Sequence, residues 1–195
     1  MGLHDMQNIS RNLKISILLV FSGCAVHFIG FVSPYWNVLP DDHGLENTES
    51  IIRLGLWRVC HRLGSQQKCT AHVLDLGQVT ATKALETLSM IFYLLSLISF
   101  WLYRRHIVYG AEILLSCIVL DILTVQSTSI GALCWVTITE VQDKFRLSWA
   151  FGLTVGSVIF PLMASWFVSQ ERKEFLEQSR RNSLENSDKL ANLLH

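Results

Sequence analysis

The chain has 195 residues, of which 50% are hydrophobic and only 16% charged, with a formal net charge of zero and a mean hydropathy of +0.35. It is more apolar than an ordinary soluble domain, which excludes a freely dissolved globular protein. No stretch concentrates Lys and Arg among aromatics, so nucleic acid is excluded as a partner. Membrane lipid is the surrounding that such a composition requires.

Residues 1–14 form a short, weakly basic N-terminal segment. The first apolar run is Ile15–Val32. Phe21-Ser22-Gly23-Cys24 faintly resembles a lipoprotein cleavage site, but the run continues through Val32, too far for a signal-peptide core. Met6 stands where N-myristoylation needs Ser or Thr. The run is therefore read as a membrane helix. Three further runs follow, Ala84–Tyr103, Val108–Val136 and Leu147–Val168. None contains Lys or Arg, and each is long enough to cross ~30 Å of hydrocarbon at about 1.5 Å per residue. A bilayer offers the backbone no hydrogen-bond partners, so these runs must be helices. The predicted fold is an all-α membrane protein, a four-helix bundle, with a small antiparallel β-sheet in the first loop.

Arg11 and Lys14 precede the first run, Arg104 and Arg105 lie in the 104–107 connection, and Arg172 and Lys173 follow the fourth. Short basic flanks stay in the cytoplasm. The expected topology has both termini inside, with residues 33–83 and 137–146 as external loops and 169–195 as a cytoplasmic tail. The five acidic and five basic residues of the first loop cancel and carry no orientation signal. Tyr35, Trp36, Tyr103, Trp135, Trp149 and Trp166 fall near the expected interfaces, where amphipathic rings anchor.

Small and polar residues recur at helical spacing. Ser16, Val20, Gly23, His27 and Gly30 make one stripe, and Cys117, Asp121, Thr124, Thr128 and Gly131 another. Such stripes belong at helix interfaces. Gly152 and Gly156 form a GxxxG step whose expected role is packing inside the bundle, with a second copy as the other reading. Asp121 lies midway along its run, where a carboxylate costs at least ~2.5 kcal/mol. It is read as a hydrogen-bonded residue bridging helices, against a proton relay with His27 or Glu112.

In the first loop, a polar stretch spans Asp41–Ser50. Leu54–Arg62 and Gln66–Leu74 then read as two strands about a turn at Gly64-Ser65. This hairpin brings Cys60 and Cys69 together in an oxidising compartment, which predicts a disulfide. Closing about ten residues is worth on the order of 2 to 3 kcal/mol. A zinc reading of Cys60, His61, Cys69 and His72 has no finger spacing, so no metal is expected.

Trp36, then Gly55-Leu56-Trp57, Cys60 and Cys69, resemble the W…GLW…C…C signature of the claudin, peripheral myelin and epithelial membrane protein superfamily. Lys83 at the mouth of the second helix and the short second loop agree with this. The resemblance covers residues 13–169. It implies a four-helix bundle capped by an external sheet, with Trp36 and Trp57 wedged between sheet and helices. It also implies residence in the plasma membrane, at cell junctions.

Two functions follow from the resemblance. One is a structural protein of cell contacts or barriers, associating with itself or other claudin-like proteins through the first loop. The other is an auxiliary subunit of a channel or receptor. Neither is enzymatic, and neither needs a catalytic residue, metal or cofactor. A thiol oxidoreductase is disfavoured because no Cys-x-x-Cys pair is present. The ending Ala191-Asn192-Leu193-Leu194-His195 lacks the apolar last residue that a PDZ groove captures. The tail is read as mobile or transiently helical, with Ser183 after Arg180-Arg181-Asn182 as an expected phosphorylation site. The sequon Asn8-Ile9-Ser10 lies on the cytoplasmic side and should carry no glycan.

Overall fold

The computed structural model describes residues 10–41, 50–63, 66–71, 77–105, 110–141 and 146–193. Four long helical segments carry the chain back and forth. They are α1 (Arg11–Val32), α2 (Gly77–Arg105), α3 (Gly110–Val141), and a fourth divided into α4 (Trp149–Gly156) and α5 (Ile159–Leu193). All four segments are long and apolar enough to cross a membrane. Leu18, Phe21, Leu94, Ile98, Leu133 and Trp166 point outward around the bundle, as expected where lipid rather than water is the solvent.

The interior is lined by small polar side chains bonded across helices. Both predicted stripes are buried along their length. On α1, Ser16 Oγ donates to Asn12 O at 2.9 Å and reaches Ala164 O of α5 at 3.4 Å. Between α2 and α3, Ser89 Oγ and Thr128 Oγ1 are 2.6 Å apart, and Thr82 Oγ1 donates to Gly131 O at 3.3 Å. In an apolar solvent such bonds and close backbone approach replace the hydrophobic drive between helices. Asp121 is held in this way. Ser96 Oγ of α2 donates to its Oδ1 at 2.8 Å, so the carboxyl bridges α2 and α3.

The GxxxG expectation fails. Gly152 and Gly156 are exposed, and a Cβ on either would meet nothing within 4 Å. The close approaches are made by Gly23 and Gly30 of α1 instead. A Cβ at Gly30 would lie 2.2 Å from Thr154 Oγ1 and 2.9 Å from Ala150 O. The inward face of α4 is the one carrying Ala150 and Thr154, which turns the two glycines outward.

α4 and α5 are separated by a turn at Ser157-Val158, and Pro161 supplies the cause. Proline has no N–H to bond the carbonyl four residues back, and its ring crowds that carbonyl. Ser157 O, denied that partner, accepts instead from Phe160 N–H at 3.3 Å and from Tyr93 Oη at 3.0 Å. α5 then continues as helix through Leu193, with ion pairs Arg181–Glu177 and Lys189–Glu185 along its exposed face. Of the two readings of the tail, mobile or transiently helical, the helical one matches the described residues, which continue α5 through Leu193, and Ser183 is exposed on it.

The sheet has five strands, not two, in the order β4-β3-β2-β1-β5, all antiparallel. They are β1 (Asn37–Asp41), β2 (Ser50–Leu54), β3 (Arg58–Leu63), β4 (Gln66–Ala71) and β5 (Arg146–Leu147). The expected strand Leu54–Arg62 is two strands, broken at Gly55-Leu56-Trp57 where Gly55 N–H donates to Arg58 O at 2.9 Å. A Cβ at Gly55 would sit 2.4 Å from Pro34 Cα and 2.6 Å from Ser33 O, backbone atoms that cannot step aside, so glycine is required there. The Gly64-Ser65 turn, His72 and Asn8 lie outside the described residues.

Candidate functional site

Two regions combine unusual chemistry with fixed geometry, the sheet with its seat on the bundle and a polar cluster just beneath that seat. The sheet is anchored through Trp36. Its ring is fully buried, and Nε1 donates at 2.8 Å to Gly30 O, a carbonyl in the last turn of α1 that also accepts from the capping Ser33 N–H at 3.3 Å. Its backbone joins two strands, with Trp36 N–H donating to Leu54 O at 3.1 Å and its carbonyl accepting from Ser148 N–H at 2.9 Å. Trp135 and Phe151 meet the indole edge-on, with centroids 5.0 and 5.8 Å away. Leu54, Leu56, Val79 and Ala150 complete a core that belongs equally to sheet and helices.

Trp135 is therefore an interior residue rather than the interfacial anchor read from its position, and Trp36, read both as an anchor and as a wedge between sheet and helices, takes the second place. Trp149 and Trp166 remain outward-facing. Trp57 differs again. It is 39% exposed, packs edge-on to Phe31 at 5.2 Å, and has Lys83 Nζ 5.8 Å from its ring centre. Gly55, Leu56 and Trp57 thus pass from a backbone contact, through a buried leucine, to a half-exposed ring within three residues.

Cys60 and Cys69 face each other directly in the β3–β4 register and form a disulfide. That bond consumes the two sulfurs a zinc site would need. β4 is exposed along its whole length and, among the described residues, ends the sheet, so its outer edge has no strand paired to it there. His61, Gln66, Gln67, Lys68 and Thr70 line a shallow groove on this side. The side chains presented here are polar and of mixed hydrogen-bonding character.

Beneath the seat, His27 of α1 meets Glu86 of α2, with Nε2 and Oε2 3.4 Å apart and both side chains fully buried. The pair is at ion-pair distance but lacks hydrogen-bond geometry, and neither Glu86 oxygen has another hydrogen-bonding partner. On its other side His27 Nδ1 lies 3.2 Å from Ser157 Oγ. Glu86 fits because α3 presents Gly131, where a Cβ would come 2.6 Å from Oε1. Tyr93 closes the group, its ring 5.5 Å from that of His27.

His27 and Asp121 are both buried among polar neighbours, but they belong to different clusters. The relay considered between them has no direct connection, and Glu112 is exposed. Glu86, Tyr93, Ser157 and Pro161 escaped the sequence reading. A carboxylate within an apolar run, at the same depth as a histidine in another run, was the available signal for Glu86. Neither a protein-family model nor a curated protein matches this sequence.

Proposed function

We propose that the chain is a claudin-like protein of the plasma membrane that organises cell contacts or barriers through its sheet, with both termini cytoplasmic. The observation carrying this reading is the way the sheet is mounted. Trp36 locks it to α1 by a buried hydrogen bond and to β5 by backbone pairing, while β4 stays exposed along its length. A platform held rigidly at one side and open at the other suits contact between proteins rather than chemistry on a small molecule. The W…GLW…C…C residues take up this mounting: Trp36 and Leu56 are its buried plugs, and Gly55 is its closest backbone contact.

The partner in this reading is a second copy or another claudin-like protein, associating in the plane of the membrane. The second reading, an auxiliary subunit of a channel or receptor, is favoured by Gly152 and Gly156, which offer an outward helix face with open space above it. Expression of the tagged full chain alone in non-adherent cells separates the two. Concentration of the protein at contacts between two expressing cells, with clustering of the cells, supports the contact role. Uniform surface distribution, with an altered channel current only on co-expression, refutes it.

A further inference from the structure

The hydroxyl of Ser157 decides how many protons the cluster beneath the seat must hold. It has one proton to give, and at 2.6 Å from Thr154 O it gives that proton to the backbone. Toward His27 Nδ1 at 3.2 Å it can then only accept, so Nδ1 carries a hydrogen. In the neutral ring the other nitrogen, Nε2, is consequently a bare acceptor. What it faces is Glu86 Oε2 at 3.4 Å. A bare nitrogen and an ionised carboxylate are both acceptors, and both are fully buried. Such an arrangement has no attraction to hold it unless a proton lies between them.

We propose that His27 and Glu86 together form a proton-binding site in the half of the bundle nearest the sheet, with the proton carried on the Glu86 carboxyl that faces His27 Nε2. The carboxyl rather than the ring carries it because the alternative, an imidazolium facing an ionised Glu86, buries two charges at once and still leaves Oε1 without a donor. Oε1 lies beside Gly131 of α3, where an added Cβ would come 2.6 Å from it, and it has no hydrogen-bond partner. A buried carboxylate without donors is disfavoured by several kcal/mol in a low-dielectric interior, whereas the neutral acid supplies the missing donor itself.

The ionisable groups facing the pair are few. On α1, Cys24 lies one turn away from His27, and on α2, Tyr93 donates to Ser157 O. The face of α3 opposite Glu86 is Gly131 and Thr128, and Asp121 further along that helix is bonded to Ser96. The α4–α5 break contributes Thr154 and Ser157, and residues 147–168 contain no charged side chain. The cation on the same helix is Lys83, one turn before Glu86, and its Nζ lies over the Trp57 ring, with no ion pair to Glu86 among the described residues; the bound proton leaves the His27–Glu86 pair itself without net charge.

The site is wired to the sheet. His27 stacks on Phe31 with centroids 6.3 Å apart, and Phe31 packs against Trp57. Loss of the proton would place a charge under the ring that seats the Gly55-Leu56-Trp57 turn. The inference concerns the site alone and holds whichever partner the sheet meets.

The test is infrared absorption of the full-length protein in lipid bilayers, with glutamate carboxyl groups labelled with carbon-13. At pH 8 exposed glutamates are ionised. The expected spectrum contains one label-shifted carbonyl band of a protonated carboxylic acid per chain, and Glu86→Gln removes it. A wild-type spectrum with carboxylate bands only overturns the proposal, as does a protonated band that survives Glu86→Gln. The first of these readouts needs no variant, so a misfolded Glu86→Gln protein would not protect the idea.

Discussion

Exchanging Gly30 for alanine adds one methyl group at the tightest crossing in the bundle, and its cost can be worked out atom by atom. The new Cβ would lie 2.2 Å from Thr154 Oγ1, 2.9 Å from Ala150 O and 3.1 Å from Thr154 N. The hydroxyl can rotate away, but it then gives up its 3.1 Å bond to Ala150 O, worth about 1 kcal/mol. The other two atoms are backbone of α4, so α1 and α4 must move apart, which for an overfilled core costs about 1–3 kcal/mol. Alanine returns about 0.8–1 kcal/mol through its better helix propensity. The net effect is a loss of about 1–3 kcal/mol. Gly152→Ala makes the same chemical change in open space, with nothing within 4 Å of the added carbon. Only the propensity gain remains there, so that variant should be more stable than wild type by about 0.5–1 kcal/mol. At 1.4 kcal/mol per tenfold, the unfolding constants of the two variants should differ by about ten-fold to several hundred-fold. Reversible unfolding in mixed micelles by titration with a denaturing detergent, followed by tryptophan fluorescence, measures both. Equal stability of the two alanine variants would refute the packing of α1 against α4, and greater stability of Gly30→Ala would invert it.

Three further outcomes follow from the same geometry. Replacing Cys60 and Cys69 together by serine should cost about 2–3 kcal/mol of sheet stability by relaxing the unfolded loop, read as faster proteolysis between β3 and β4 with the helices intact. Asp121→Asn should keep the bridge to Ser96 and leave stability within about 1 kcal/mol. Asp121→Leu should leave that buried hydroxyl unpaired at a cost of about 1–3 kcal/mol, measured in the same detergent titration. Trp36→Phe should lose the hydrogen bond to Gly30 and leave a void, destabilising by more than 2 kcal/mol. Trp57→Phe, at a ring already 39% exposed, should cost less than 1 kcal/mol, and a reversal of that order would show the seat to be wrongly assigned.

The helices were legible because bilayer-length apolar runs admit one backbone solution, and the inward stripes were legible because small and polar residues recur on one face. What could not be read was which way a face turns when both faces look similar. Gly152 and Gly156 have the spacing of an interface, but Ala150 and Thr154 on the neighbouring face won it. The hairpin signal at Cys60 and Cys69 was local and sound, whereas β1 and β2 are short strands that pair across a polar stretch, and β1 gains its other partner, β5, from a distant part of the sequence. Trp135 shows the same limit. A tryptophan near a helix end suits an interface or a core, and only the approach of strands from elsewhere decides between them. Glu86 was hidden because a single carboxylate in an apolar run has no meaning until the helix carrying His27 is placed beside it.

The order in which the chain emerges gives the β1–β5 pairing a further significance. Strands β1 to β4 lie between the first two helices in sequence, and their mutual contacts span few residues. β5 arrives more than a hundred residues after β1, behind the third helix, and its two-residue ladder with Asn37 and Val38 is accompanied by the bonds Ser148 N–H to Trp36 O and Ala150 N–H to Tyr35 O. Synthesis delivers the N-terminal part first, and distant contacts carry the greatest closure entropy. Four strands and their disulfide can therefore exist as a provisional assembly while the second half of the bundle is still unmade. The last strand then acts as a proofreading step, since the sheet acquires its final seat only in a chain whose third and fourth helices have been correctly inserted.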